Sequence, residues 1–433
     1  MGLMQRKTKP FSNFSRAINT TAKSVRPDDE EQLHAIFATH GGSLLIRGNG
    51  LSYSDCCVNH KGTIVETSRL NHMLSFDTST GIAVCQGAVT FSDLFLLDSK
   101  YIPPVIPGTM HATVAGGVAN DVHGKNNPHM GTFGHHVEWI ELQNGEQTLK
   151  CSPTENKALF NATIAGLGLT GFIKRVAIRM HKASRFVAKR TQKFTSMPEL
   201  LDYMQNEGLQ YDYQVAWLDL LNQPRALLSL AKHIPNYDKH TQGPKRRYTV
   251  PNLPTRFVNH ALMKQFNRVY YQKATTDTKN LPLWQFNNPL DAVNHWNRWY
   301  GKKGLLQFQA VFDQENANTT MDSLLALIRS HRATPTLAVL KYFTEAGPGL
   351  LSFAKPGFTV AIDFIHNPQA RLAIGAMNQL IASMNGKIYL AKDLLLNREQ
   401  FISMYENHEK FCEILTTHNS AMSSDLSKRL LHI

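Results

Sequence analysis

The stretch at residues 107–126, PGTMHATVAGGVANDVHGKN, constrains this chain more than any other. Gly108, Gly116, Gly117 and Gly124 fall within it, beside a Pro-Gly turn, a Thr-Val pair and the run His123-Gly124-Lys125. Neither an amphipathic helix nor an alternating strand reads this way, so irregular backbone is expected. Glycine concentrates where the backbone must take positive φ or lie in contact with something flat or charged. A second such stretch, RGNGLSYSD at 47–55, precedes it, and a third, AGLGLTG at 165–171, follows it. Three such turns suggest backbone wrapped around one extended ligand.

Length allows that ligand a substantial host. The chain has 433 residues, 42% hydrophobic and 18% charged, which suits a globular protein of two or three domains. No apolar run reaches the ~18 residues of a membrane span. The first residues carry no apolar signal core and no twin arginine, and Arg6 stands where a myristoylation motif needs Ser or Thr. A cytoplasmic location, free or peripheral at the inner membrane face, is the expectation. Cys56, Cys57, Cys85, Cys151 and Cys412 fit neither a disulfide framework nor a zinc site. Reduced thiols and no metal are expected.

The net charge of +13 is unevenly placed: residues 232–279 hold ten Lys/Arg against Asp238 and Asp277. With Pro235, Pro244, Pro251, Pro254 and the run Lys245-Arg246-Arg247, this segment reads as a long basic loop. It is either a solvated insertion or a site of attraction to lipid headgroups or a phosphorylated substrate. Nucleic acid is not expected, since no interleaved aromatic and basic motif appears.

Periodicity predicts short elements of mixed order before about residue 183. These are a helix over 28–40, strands at 43–46, 63–66, 83–86, 139–143 and 172–180, and a short helix at 91–97. Longer helices follow at 197–205, 320–330 and 367–384, with strands at 215–220, 305–312, 337–343 and 358–364 between them. Helices return at 398–405, 409–415 and 424–431. The class is α+β, with a largely antiparallel sheet and helices in the second part.

The glycine turns match neither a Walker A loop nor a convincing dinucleotide fingerprint. A pyrophosphate needs N–H groups that side chains do not obstruct, and turn glycines present them. The set RGNGLSYSD, PGTMHATVAGGVANDVHGKN, GTFGHHV and AGLGLTG resembles the FAD-binding domain of vanillyl-alcohol-oxidase-type flavoproteins. Within that superfamily the chain is similar to the decaprenylphosphoryl-β-D-ribose 2-oxidase group, through NPLDAVNHWNRWYGKKGLLQFQ, AVLKYF, VAIDF and IYLAKD in that order. The resemblance covers residues 11–433. It implies an FAD domain with two subdomains from 1–183, a substrate domain at 184–386 and a segment, 387–433, returning to the FAD domain.

The implied chemistry is hydride transfer from a sugar carbinol to flavin N5. By resemblance, Arg47, Gly48, Asn49, Gly50, Leu51, Ser52 and Tyr53 would hold the pyrophosphate. Pro107, Gly108, Thr109, Thr113, Ala115, Gly116, Gly117, Asn120, His123 and Gly124 would run along the flavin, closed by Gly168, Gly171 and Ile173. Many superfamily members tether FAD through a His at the position of Leu51. Leucine cannot, so non-covalent FAD is implied. Lys392 is the candidate for removing or aligning the hydroxyl proton, with a salt bridge to Asp393 as the plainer alternative. His123 is the second catalytic candidate. Lys125 and Lys341 suit a phosphate or a developing anion. Gln307 and Gln309 share one strand face and suit sugar hydroxyls. Tyr389 and Trp217 are further pocket candidates.

Two departures from the group stand out. Asn287-Asn288 replaces a Tyr-His pair, and Ala361 replaces a Cys. The implied function is oxidation of the 2-hydroxyl of a polyprenyl-phosphoryl ribose to the 2-keto form, with an NAD(P)H-dependent short-chain reductase completing epimerisation to arabinose. The alternatives are an aldonolactone or alditol oxidase, whose His-Trp-x-Lys motif is here Tyr389-Leu390-Ala391-Lys392, and a flavin-binding protein without turnover.

Overall fold

The computed structural model describes residues 7–39, 43–145, 147–222, 224–235, 248–252 and 255–432. The run 245–247 lies outside them.

Two small sheets carry the glycine turns. In the first, Lys7–Ser12 pairs antiparallel with Asn19–Val25, and Thr63–Glu66 and Leu44–Arg47 continue it in parallel. The second is antiparallel, in the order Met73–Asp77, Ile82–Gln86, Phe172–Arg179, Val137–Asn144, Gln147–Cys151. The chain's end packs back on the first sheet: Leu44 N–H donates to Ala421 and Ser423 N–H to Leu44.

An eight-stranded sheet makes the second part, with every pairing antiparallel. Its order is Lys279–Pro282, Phe186–Phe194, Arg225–His233, Tyr213–Asp219, Pro335–Phe343, Gly357–Ile365, Leu305–Phe312, Lys387–Ile388. Side chains alternate across it. Leu306, Phe308, Leu340, Val360, Ile362 and Phe364 are buried in one core with residues of the helices Met197–Gln205, Ala317–Ser330 and Pro368–Ser383. Each large apolar side chain buried there stabilises the fold by about 1.5–3 kcal/mol. The intervening residues Gln307, Gln309, Leu337, Val339, Lys341, Ala361 and Asp363 fall on the other face, toward the small sheets.

Three expectations need correction. The 107–126 stretch does contain a helix, Val114–Ala119, because Thr113 caps it by accepting from Gly116 N–H at 3.2 Å. Its small residues let it pack closely: a Cβ on Gly117 would stand 2.7 Å from Phe91. Secondly, the basic segment is not one loop. His260–Lys273 is a helix, capped by the Asn259 side chain and packed through Met263 and Asn267. Thirdly, the strands Phe186–Phe194 and Arg225–His233 escaped prediction; Lys189, Arg190 and Lys193 interrupt the apolar alternation of the first.

Candidate active site

A cavity of about 880 Å³ lies between the glycine turns and the polar face of the large sheet. One wall is mostly backbone. The turn after Leu44–Arg47 is closed by the Arg47 guanidinium, which donates to the Ser12 carbonyl at 2.8 Å and the Cys57 carbonyl at 3.2 Å. That guanidinium lies where a Cβ on Gly50 would point, and Gly50 has φ +63°. Asn49 ties this turn to the second stretch by donating to the His111 carbonyl at 2.8 Å. Asn288 donates to the Pro107 carbonyl at 2.7 Å, and Asp291 accepts from Met110 N–H at 2.8 Å. Gly108 and Gly168 both line the cavity, and a Cβ on either would meet nothing within 4 Å. The wall is therefore a cradle that side chains would fill, suited to a flat group with an anionic tail.

The opposite wall is made of side chains. The Gln309 amide lies 2.9 Å from His123 Nε2, and Lys341 Nζ lies 3.4 Å from His123 Nδ1. Burial, then Lys341 and Lys392, hold His123 well below the ordinary imidazole value, so the ring is neutral at pH 7. Burial lowers Lys341 to about 8. Gln307 donates its amide to Asp363, leaving Gln307 Oε1 and Asp363 Oδ2 buried without a protein partner. Both residues line the cavity, so these acceptors suit a ligand that donates hydrogen bonds, as a polyol does.

Lys392 sits where the walls meet. Its turn is held by Tyr389 N–H donating to Gln309 at 2.9 Å, and by Tyr53 and Ser54 N–H donating to Ala391 at 3.1 and 3.3 Å. Lys392 Nζ stands 3.7 Å from the centroid of the Tyr53 ring. Burial brings this ammonium down to about 7; Asp363 opposes the shift and Lys341 reinforces it. Burial also raises the Asp363 carboxyl to about 6, against the pull of Gln307 and Lys392.

Asp393 does not pair with Lys392. It accepts from Leu395 and Leu396 N–H at 2.9 Å each and from Arg429 at 3.0 Å. The same guanidinium donates twice to Asp55 at 2.8 Å. Burial works against the Arg429 charge, but the two carboxylates hold it above the usual arginine value. Burial outweighs Arg429 at Asp55, whose carboxyl is raised. This clamp joins three distant parts of the chain and fixes the Lys392 turn against the Tyr53 turn.

Residues 21–151 match the FAD binding domain family. The chain is 28% identical to the decaprenylphosphoryl-beta-D-ribose oxidase of Mycolicibacterium smegmatis, over 98% of this chain and 97% of that protein. This chain is an FAD-dependent oxidoreductase. It resembles that oxidase, and its architecture is α+β with two domains. The oxidoreductase is also 22% identical to an uncharacterized protein of Streptomyces coelicolor, over 77% of this chain and 97% of the other. A Neurospora crassa protein named as a D-arabinono-1,4-lactone oxidase is 30% identical over only 27% of this chain and 21% of its own length.

The cradle fits FAD, and the flavoenzyme gathers many of the expected residues around it. Arg47 through Tyr53, Pro107, Gly108, Thr109, Thr113, Ala115, Gly116, Asn120, His123, Gly168, Gly171 and Ile173 line the cavity, with Gln307, Gln309, Lys341, Tyr389 and Lys392. Four residues do not. Gly117 packs against Phe91 and Phe133, and Gly124 against Ile106 and Asn126, so these two glycines serve close packing. Lys125 is turned away, donating to the Phe286 carbonyl at 2.5 Å with its ammonium over the Phe286 ring. Trp217 packs edge-on against Tyr270, with ring centroids 4.9 Å apart.

Sequence reasoning missed Asp363 altogether, and also Asp291, Trp296 and Asn297, which line the cavity. Asp363 carried one signal: it lies two residues from Ala361 in a strand. Alternation therefore puts both on the face that meets Gln307 and Gln309.

Proposed function

We propose that the protein oxidises a secondary alcohol of a sugar, the 2-hydroxyl of a polyprenyl-phosphoryl ribose, to the ketone. The observation that carries this reading is Lys392, buried at the cradle and lowered to about 7. At neutral pH a large share of this lysine is the free amine, able to take the hydroxyl proton. Bound FAD would accept the hydride. The proton thus leaves to Lys392 and two electrons leave with the hydride, so the carbinol becomes a carbonyl. Tyr53 beneath the amine and Asp363 beside it hold the lysine in place and stabilise its protonated form. Gln307 and Gln309 receive the remaining hydroxyls, and Lys341 the phosphate.

Leu51 has no nucleophilic atom, which supports non-covalent FAD. The choice of substrate is supported by similarity along nearly the full length of the Mycolicibacterium smegmatis protein. An NAD(P)H-dependent short-chain reductase would then return hydride to the opposite face of the ketone, giving arabinose.

The test is anaerobic flavin bleaching against prenyl-phosphoryl ribose, prenyl-phosphoryl arabinose and free aldonolactones. Rapid bleaching by the first is expected. Bleaching by aldonolactones alone would replace this reading with that of a soluble-sugar oxidase.

A further inference from the structure

Exposed apolar side chains are concentrated on one segment of this molecule. Among the described residues, Tyr248, Phe257, Leu262, Phe266 and Tyr270 are all large, apolar and exposed, from 37% to 61%, whereas Leu74, Leu96, Leu372 and Ile402 are well separated in sequence. Leu262, Phe266 and Tyr270 recur every fourth residue, so they form one line along the His260–Lys273 helix. The Phe266 and Tyr270 rings stack with centroids 5.7 Å apart. The helix rests one end of this line, Tyr270, edge-on against Trp217 and leaves Leu262 and Phe266 exposed. It packs through the neighbouring line, where Met263 and Asn267 are buried and Asn267 donates to Asp219 at 3.0 Å. A contiguous apolar surface left over in this way marks a contact with something else.

Its position links it to the active-site cavity. Tyr270 meets Trp217, and Trp217 is the cross-strand partner of Val339, which lines the cavity. On the other side, Phe257 N–H donates to the Trp299 carbonyl at 2.7 Å, one residue beyond the lining residues 295–298. The charge of this segment is one-sided in sequence. Between 248 and 282 stand Arg256, Lys264, Arg268, Lys273 and Lys279, against Asp277 alone. Lys273 lies seven residues beyond Phe266, on the same side of the helix. Aromatic and leucine side chains beside lysine and arginine match the boundary of an anionic bilayer. A second copy of the chain fits less well, because a twofold contact would bring these cations against their own copies.

We propose that the His260–Lys273 helix seats the oxidoreductase on an anionic lipid surface. Leu262, Phe266 and Tyr270 enter the headgroup–acyl boundary, and the cavity mouth is held beside the membrane. The purpose of this contact rests on the lipid-linked substrate proposed above, but the contact does not depend on it. The test is cosedimentation of the FAD-loaded protein with vesicles of phosphatidylglycerol and phosphatidylcholine, without any sugar. Binding is expected, weaker on pure phosphatidylcholine and reduced by salt. Leu262→Ser combined with Phe266→Ser should weaken partition about tenfold or more, given the apolar area removed, while flavin absorbance stays normal. Phe257→Ser should weaken it less.

Wild-type protein that stays in the supernatant would overturn the proposal, as would double-variant protein that sediments like wild type. A wild-type dimer that the double variant converts to monomer would assign the patch to a second copy instead. Vesicle binding without bleaching by prenyl-phosphoryl ribose would leave this contact standing and remove the substrate assignment alone.

Discussion

The two walls of the cavity work by different physics. The wall from 47–53, 107–120 and 168–173 offers backbone, and its defining property is side chains that are missing: Gly108 and Gly168 face open space. The wall from the large sheet offers side chains, and its properties depend on burial: Lys341 falls to about 8, Lys392 to about 7 and Asp363 rises to about 6. A backbone wall binds and places a ligand. A wall of perturbed acids and bases moves protons. Damage to the two should therefore give separable defects.

The largest expected effect is on chemistry. Lys392→Ala should slow anaerobic flavin reduction by about 10²–10⁴-fold, the usual contribution of a positioned base, with FAD content unchanged. Reduction at the wild-type rate would show that the sheet wall lacks the base assigned to it. The next effect is on stability. Arg429→Ala strands Asp55 and Asp393 without their shared partner, a loss of about 3–5 kcal/mol for a broken buried ion pair, measurable by urea unfolding.

The backbone wall can be tested by comparing two of its neighbouring glycines. Gly108→Leu projects into the cradle, so FAD affinity should drop at least tenfold, roughly 1.4 kcal/mol, with apoprotein stability little changed. Gly117→Ala should do the reverse. Its Cβ would crowd Phe91 at 2.7 Å, so stability should fall by about 1–3 kcal/mol while FAD affinity holds. Equal effects of both on FAD affinity would mean that Gly117 also meets the cofactor.

The smallest effect is a pH profile. The free amine of Lys392 predominates above about 7, so flavin reduction should rise with pH through that value and then level off. Lys341 loses its charge above about 8, so KM for a phosphorylated substrate should climb there while kcat holds. An acid limb that survives in Lys392→Ala would assign it to Asp363 or another group.

Much of the backbone wall was legible in the chain itself, because a glycine's demand is local. RGNGLSYSD and AGLGLTG supply turns with Gly50 and Gly168 at positive φ. Even there, Gly117 and Gly124 stand close to Phe91 and Ile106: a glycine signals close approach without saying to what. Elements with strong caps or alternation were also readable: the Met197–Gln205 helix behind Ser196 and the Leu305–Phe312 strand. The side-chain wall was only half visible. Gln307 and Gln309 could be placed on one face by alternation, but Asp363 joins them only through the pairing of Leu305–Phe312 with Gly357–Ile365. Trp217 and Lys125 stand outside the cavity lining for the same reason, each held by a partner remote in sequence.

The sequence by itself therefore determined where glycines leave the backbone bare, where a well-capped helix such as Met197–Gln205 begins, that residue 51 cannot tether a flavin, and that a lysine follows Ala391. Tertiary structure alone decided that Lys392 stands over Tyr53, that Asp393 belongs to Arg429, and that burial brings the lysine toward neutrality. Turn geometry and capping are set within a few residues. A pKa is set by desolvation and by charges brought together from distant segments, and neither exists until the chain has folded.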